Sequence, residues 1–502
     1  MGDLTTGLAS APRLVAAAWS LVRADALAPR EIEPLLPAWA KLTTGFLRLF
    51  AGREARSGRP GERLARVLER QGPVAIKLGQ FLSTRADIFG GEFTEDLARL
   101  KDRLPPFPTT VAAAEVERAR GGRLPTLFTD FQGAVGAASL AQVHAAVLAD
   151  GRRVAVKVLR PGIEGRVEAD VSALTLAARL TDAIVPAARR LEPQAFAATI
   201  ARALRLELDL RFEAAGADEL REVMSFDSYM TAPRVIWEGV ARRVLTLEWV
   251  EGDALSGGDV LDRPELDRPR LATDLIRAFL TQAMDHGVFH ADLHEGNLFV
   301  DHAGRLVAVD FGIVGRLGAR ERRFLAEVLW GFLTRDYARV AAVHAEAGYL
   351  PSGHDLGAFA QALRAVGEPI FGRAAADVSM NRLLAQLFEI TALFDMRLRP
   401  ELVLLQKTMV TVEGVARRID PRLDIWAAAE PVVRRWIGRE LSPASRLKEL
   451  GDQALGVMAR LAAERAVAPP PVVVVRGGFE GLGFALGVLS AALAFAGAWL
   501  LR

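Results

Sequence analysis

In the stretch H-A-D-L-H-E-G-N-L-F-V, Asn297 follows Asp292 by five residues, and Asp310 follows thirteen later in V-A-V-D-F-G. Each polar group stands at the edge of a short apolar run. Aspartate, asparagine and aspartate at this spacing suit phosphoryl transfer: one carboxylate positions or deprotonates an attacking hydroxyl, and two oxygen donors hold magnesium against the β and γ phosphates. The chemistry indicated is phosphoryl transfer or ATP hydrolysis, with Asp292 as the catalytic group and Asn297 and Asp310 as metal ligands.

Upstream residues extend this constellation. Lys157, in V-A-V-K-V-L, lies near the end of an alternating run, where a strand lysine would grip the α and β phosphates. Its partner would be a helix glutamate, and Glu213 in E-L-D-L-R-F-E-A-A is the best candidate. Leu245–Val250 (L-T-L-E-W-V) reads as a hinge whose backbone groups at Glu248 to Val250 would bond adenine. The expected glycine-rich loop is replaced by A-V-G-A-A-S-L-A-Q-V-H, Ala134 to His144, in which Gly136 alone keeps glycine's backbone freedom. Gly136, Ala137, Ala138 and Ser139 are the candidate phosphate-facing residues, with altered nucleotide preference expected.

These groups need a scaffold. From Glu62 to Leu104 the pattern is helical, broken at Gly72-Pro73 and Gly90-Gly91 and closed by Pro105-Pro106. Leu127–Phe131, Ser139–Leu148 and Arg153–Leu159 read as strands, the last two joined by a turn at Asp150-Gly151. Helices are expected from Glu164 to Val223, strands at Arg234–Trp237 and Arg243–Val250, and mostly helix from Gly252 to about Leu441. A small β-rich lobe thus precedes a large helical one. The division predicted is an N-terminal helical region (1–60), a helical extension (61–125), a β-rich lobe with inserted helices (126–252), a helical lobe carrying the catalytic loop (253–441), a linker (442–480) and a terminal span (481–501).

The chain of 502 residues is 51% hydrophobic with a mean hydropathy of +0.19, high for a freely soluble enzyme. Gly481 to Leu501 carries no charge, and about 20 helical residues at roughly 1.5 Å each match a hydrocarbon core of roughly 30 Å. One membrane span is predicted, with Arg465 and Arg476 before it keeping the large N-terminal part in the cytoplasm. Trp39, Leu42, Phe46, Leu49 and Phe50 recur at helical spacing, which suits either a bilayer surface or packing on the protein. Lys and Arg (63) nearly balance Asp and Glu (61), and no aromatic-interleaved basic stripe occurs, so nucleic acid is not an expected partner. The absence of cysteine excludes disulfides, thiolate metal sites and cysteine nucleophiles. His290 and His294 have zinc-helix spacing, but no glutamate follows His290 and no third ligand is near; His290 is assigned to bracing the loop.

At this point the chain resembles the UbiB family, the atypical protein-kinase-like proteins of ubiquinone biosynthesis that include the ADCK-type proteins. The family's K-x-G-Q signature stands here as Lys77, Gly79 and Gln80, its E-x-D motif as Glu207 and Asp209, its alanine-rich loop as Gly136 to Ser139, and its H-x-D-x-H-x-x-N as His290, Asp292, His294 and Asn297. The resemblance spans roughly residues 60 to 440. It implies an α+β, bilobal kinase-like fold with a helical N-terminal extension and a C-terminal transmembrane helix. It also implies that Lys77 pairs with Glu207 and that the extension covers the site where a kinase would hold a peptide, making Lys77, Gln80, Glu207 and Asp209 gating residues. On a helix, Lys77, Gln80 and Thr84 would share one face. Departures from the family pattern are Leu293 and Glu295, where prolines are common, Gly216, where asparagine is common, and Gly136 in place of a first alanine; the last is expected to make the loop more permissive toward ATP.

The function implied is a membrane-anchored atypical kinase or ATPase that binds ATP (or ADP) with Mg2+ and supports ubiquinone (coenzyme Q) biosynthesis through ATP-driven handling of polyprenyl intermediates. Its partners would be membrane lipids, polyprenyl quinone precursors and ubiquinone-biosynthesis enzymes, with room for a homodimer, at the bacterial inner membrane. Two alternatives stand beside it: a small-molecule or lipid kinase, and a nucleotide-sensing scaffold without turnover.

Overall fold

The computed structural model describes residues 19–26, 49–52, 58–83, 91–98, 105–184, 193–371 without 258 and 352, 400–440, and a few single positions. The predicted span 481–501, the linker 442–480, Thr84 and the Trp39–Phe46 face lie outside these residues. Among the described residues no helix is long and apolar enough to cross a membrane.

From Pro60 the chain runs through three short helices: α1 (Pro60–Gln71), α2 (Pro73–Ser83) and α3 (Gly91–Ala98). The break between α1 and α2 falls at Gly72-Pro73, where glycine takes a positive φ of 103° and proline opens the next helix. Their apolar faces close a small core of their own around Leu68, Ile76, Phe93, Leu97 and Leu100.

Helix α4 (Thr109–Arg120) leads into an antiparallel sheet of β1 (Phe128–Ala137), β2 (Ala141–Leu148), β3 (Arg153–Leu159) and, past β4 (Met230–Thr231), β5 (Val244–Glu248), in the order β1-β2-β3-β5. The β2–β3 turn is at Asp150-Gly151, with Gly151 at φ 86°. One face, bearing Val154, Val156 and Val158, packs against Val116 of α4. Between β3 and β5 run α5 (Ile163–Ile184), α6 (Pro193–Glu207) and α7 (Leu210–Met224). Instead of a strand at Arg234–Trp237, Val235 makes a single bridge to Leu247 and Trp237–Gly239 forms a 3-10 turn.

The β1–β2 connection also differs from expectation. Strand β1 runs on through Gly133 and Gly136 to Ala137, with register shifts along its pairing to β2, so the expected eleven-residue loop contracts to Ala138–Leu140. Small residues allow this: bulges tilt β1 without crowding β2. The His144 ring stacks on Phe131 at 4.7 Å and bonds the Gln132 carbonyl at 2.8 Å, securing the irregular stretch.

The helical lobe starts after β6 (Gly252–Ala254). It holds α8 (Arg268–Thr281), the short strands β7 (Val288–His290), β8 (Leu298–Asp301), β9 (Leu306–Ala308) and β10 (Val314–Arg316), and then α9 (Ala319–Thr334), α10 (Tyr337–Glu346), α11 (Leu356–Phe371), α12 (Pro400–Ile419) and α13 (Ile425–Glu440). β4, β9, β8 and β6 form one sheet and β10 pairs with β7. One large apolar core, including Leu204, Leu220, Phe279, Phe289, Phe311 and Val412, runs from α6 and α7 through α8 to α12.

Candidate active site

Lys157 lies in β3 between Val143 of β2 and Leu245 of β5, so both neighbouring strands fix its backbone. Asp209 caps α7, its carboxylate accepting the Arg211 N–H at 3.2 Å, and this starts the helix so that Glu213 falls in the first turn. Lys157 Nζ donates to Glu213 Oε1 at 2.7 Å and to Asp310 Oδ1 at 3.1 Å. One ammonium therefore serves carboxylates from both lobes. Burial works to lower the Lys157 pKa, but Asp310 and Glu213 outweigh it and raise it. Lys157 in turn holds the Asp310 carboxyl well below the usual carboxylate range, against burial and with help from Lys77. Glu213 goes the other way: burial, aided by Asp310 and Glu207, pushes it up to about 7 against the pull of Lys157.

The loop that carries Asp292 hangs from His290, which is fully buried. Its Nδ1 accepts the Asp292 N–H at 3.1 Å, so Nε2 carries the proton and donates to the Val309 carbonyl at 3.1 Å. Burial lowers its pKa and keeps the ring neutral. With both nitrogens engaged, His290 is a brace and not a metal ligand. Gln282, in a π turn that ends α8, accepts the His290 N–H at 3.1 Å; nothing in the sequence marked this residue. Asn297 Nδ2 donates to the Asp292 carbonyl at 3.0 Å and approaches Asp292 Oδ2 at 3.4 Å.

This geometry tests the magnesium set. Asn297 uses its amide nitrogen on Asp292, leaving Oδ1 as an oxygen donor, while the Val309 N–H bonded to the Asn297 carbonyl at 2.9 Å brings Asp310 alongside. Asp310 engages Lys157 through Oδ1, which leaves Oδ2. Two hard oxygen donors beside phosphates are what magnesium takes from a protein. Among the described residues no group of three or more histidine, aspartate and glutamate residues forms a self-sufficient metal cage. Asp310 has φ 61°, a left-handed conformation that a non-glycine residue holds at a cost of about 1–3 kcal/mol. Phe311, 1% exposed beside the His290 ring at 5.3 Å, anchors the turn.

The ion pair that the resemblance implied is formed. Lys77 Nζ of α2 meets Glu207 Oε2 at the end of α6 at 3.1 Å, both side chains largely withdrawn from water. Gly79 is where α2 approaches its neighbours, since a Cβ there would overlap Leu100 and Leu68. Gln80 is half-buried on the same helix. Asp209 is engaged differently, pairing with Arg211 at 2.6 Å as well as capping α7.

Other candidates are narrowed. Gly136 pairs with Val143 in the ladder without a positive φ, so the left-handed freedom that distinguishes glycine is not used there. Ala138 donates its N–H to the Ala141 carbonyl at 2.8 Å and accepts from Arg160 at 2.9 Å, while Ser139 is fully buried. The alanine-rich turn is thus pinned by Arg160, which also reaches the Pro105 carbonyl at 3.0 Å. At the hinge, the Glu248 N–H is taken by the Arg234 carbonyl at 2.8 Å and the Trp249 N–H by Arg153 at 3.1 Å, so the donor left to this segment is Val250.

The sequence assigned His294 no role. In the structure its Nδ1 accepts the Gly296 N–H at 3.0 Å and Nε2 lies 3.7 Å from Asp292 Oδ2. Glu295 pairs with Arg418 of α12, and Thr408 Oγ1 of the same helix shares its proton between the Leu404 carbonyl one turn back at 2.8 Å and the Ala291 carbonyl at 3.1 Å. A Cβ on Gly216 would lie 3.0 Å from Val314 Cγ2, so the absence of a side chain lets α7 pack closely beside the Asp310 turn.

Comparison with known proteins agrees with this architecture. The family model of the ABC1 atypical kinase-like domain matches residues 99–344, and that of the UbiB helical domain matches residues 363–424. Among solved structures, Rv3197 from Mycobacterium tuberculosis, in its complex with erythromycin, is similar with a TM-score of 0.51 and 22% identity, over 73% of this chain and 93% of that one. At that identity the likeness concerns the fold.

Proposed function

This chain belongs to the UbiB family of atypical kinase-like proteins, and from that premise we propose that it binds ATP with Mg2+ and couples hydrolysis or phosphoryl transfer to ubiquinone biosynthesis at a membrane. The observation that carries this reading is Lys157, held between Glu213 and Asp310 and facing a catalytic loop that presents Asp292 and Asn297. Lys157 grips the nucleotide phosphates and Glu213 keeps it aimed. Asn297 and Asp310 would hold magnesium, which would supply neutralisation of charge on the phosphates. Asp292, with 37% of its side-chain surface accessible, orients water or an acceptor hydroxyl.

The Lys77–Glu207 pair closes the cleft from the α2 side and gates turnover, and Val250 offers the hinge donor for adenine. The segment 481–501 anchors the protein in the bacterial inner membrane with the catalytic part on the cytoplasmic side. Polyprenyl intermediates and the enzymes that process them are the partners this reading requires. A small-molecule or lipid kinase is the second reading, favoured by the short passage from Gly312 through β10 directly into α9, which leaves no long segment to receive a peptide.

The test is magnesium-dependent phosphate release by the full chain, with and without anionic liposomes carrying a phenolic quinone precursor, beside Asp310→Asn. Release that rises with membrane and precursor and disappears in the variant is expected. Label transferred to the lipid selects the kinase reading; nucleotide binding with no release in any condition selects a scaffold.

A further inference from the structure

The loop from Asp292 to Asn297, D-L-H-E-G-N, contains a glycine and no proline, so its own backbone preferences do not fix it. Contacts must do so. The kinase-like part supplies the His290 brace and the Asn297 amide that reaches back to the Asp292 carbonyl. Two further contacts come from α12, which lies in the stretch matched by the UbiB helical domain, outside the kinase-like match that contains the loop.

The first is at Ala291, the residue before Asp292. Its N–H donates to the Ile313 carbonyl at 3.0 Å and its own carbonyl accepts from Thr408 Oγ1 at 3.1 Å. Ala291 thus stands between α12 and the segment that follows the Asp310 turn. Both Ala291 and Thr408 are buried, so a donor taken from that carbonyl is not made good by bulk water. The second contact is at Glu295, which opens the 3-10 turn Glu295–Asn297 and pairs with Arg418. Arg418 stands in the last turn of α12, where Arg268 of α8 bonds the Arg418 and Ile419 carbonyls at 3.4 and 2.6 Å, so it projects from an anchored helix end. Glu295 and Arg418 are partly exposed, and such a pair adds little to stability. Its consequence is where Glu295, and with it Asn297, is held.

We infer that α12 sets the geometry of Asp292 and Asn297 from both ends of their loop, with Thr408 and Arg418 as positioning residues, so that the helical domain acts on the chemical step and not on nucleotide affinity. This deepens the phosphoryl-transfer reading above and rests on it. Groups that orient a nucleophile and a metal must be held to a fraction of an ångström, and a small misplacement is felt in the rate before it is felt in binding.

The experiment measures kcat and KM for Mg2+-ATP in phosphate release by the full chain in nanodiscs, per folded molecule, in the parent, Thr408→Val, Thr408→Ser, Glu295→Ala, Arg418→Ala, the double alanine variant and the charge-reversed pair Glu295→Arg with Arg418→Glu. Thr408→Val, which keeps the shape and loses the hydroxyl, is expected to lower kcat about tenfold with KM within about twofold, and Thr408→Ser to restore it. Each alanine variant is expected to lower kcat about threefold, the double variant no further than either single, and the reversed pair to recover most of the loss. Should Thr408→Val fail to fold, the variants at the partly exposed Glu295–Arg418 pair decide. If kcat is unchanged at either point, or if KM rises while kcat holds, the inference is overturned while the parent reading stands. If the parent protein releases no phosphate, the turnover proposed above falls and this inference falls with it.

Discussion

The ammonium of Lys157 and the carboxylate of Asp310 meet at 3.1 Å, one from the central strand of the small lobe and the other from a turn in the helical lobe. The pair ties the two lobes together at the point where phosphates and magnesium would enter. Lys157→Met removes the cation shared by Glu213 and Asp310. Phosphate release is expected to fall about a hundredfold or more while the thermal midpoint changes little, because Glu213 takes up a proton once its neighbour is gone. A variant with undiminished release would remove Lys157 from the mechanism.

Lys77 and Glu207 form a partner-dependent pair in a sparsely hydrated place. Lys77→Ala removes the cation that Glu207 meets at 3.1 Å, close to Glu213, whose pKa Glu207 already raises. A loss of about 1–3 kcal/mol is expected, reduced by the residual exposure of both side chains, and Glu207→Gln in the same chain should recover part of it. Denaturant midpoints of the two single variants and the double variant measure the coupling. If Lys77 gates the cleft, basal turnover or nucleotide selectivity changes more than stability does; unaltered binding and turnover count against that role.

The two motif glycines should respond differently to alanine. At Gly79 a Cβ overlaps Leu68 and Leu100, so Gly79→Ala is expected to destabilise by about 1–3 kcal/mol. At Gly136 a Cβ meets nothing within 4 Å and the backbone is not left-handed. Gly136→Ala should leave the thermal midpoint in place and change ATP and ADP affinities less than about twofold. A large gain in ADP preference would instead show that this glycine keeps the loop permissive toward ATP.

His344 supplies a pH dependence remote from the site. Its Nδ1 bonds the Val340 carbonyl at 2.8 Å, and Phe324 and Phe359 stand edge-on at 4.8 and 5.3 Å. Burial lowers its pKa to about 4, against an ordinary value near 6.5. The unfolded chain thus binds a proton that the native one refuses between those values. Stability is full above about 6.5 and declines as pH falls toward 4, by up to about 3 kcal/mol. Denaturant titrations at pH 7 and pH 5 should differ by about 2 kcal/mol, and His344→Phe should flatten the difference; an unchanged slope would show that another group is responsible.

Much of this molecule follows from local chemistry. The spacing of Asp292, Asn297 and Asp310 is short-range: the brace at His290 and the Asp310 turn lie within one segment, so pattern alone marks them. The break at Gly72-Pro73 and the turn at Asp150-Gly151 are set by residues whose own backbone preferences dictate them. The Lys157–Glu213 pair was legible too, because strand and helix periodicity each limited the choice to few residues.

What only tertiary structure decided depends on contacts between segments far apart in the chain. The loop expected from Ala134 to His144 became mostly strand, because pairing with β2 and the irregular register of β1 outweighed local glycine and alanine preferences. The Glu248 amide was withdrawn from the hinge by Arg234, a bond that depends on where β5 lies. Thr408 and Arg418 are ordinary residues of an amphipathic helix, and nothing in their spacing relates them to a loop more than a hundred residues earlier. Packing of α12 on that loop brings them there, since a side chain's electrostatic surroundings are set by the elements around it and not by its neighbours in sequence.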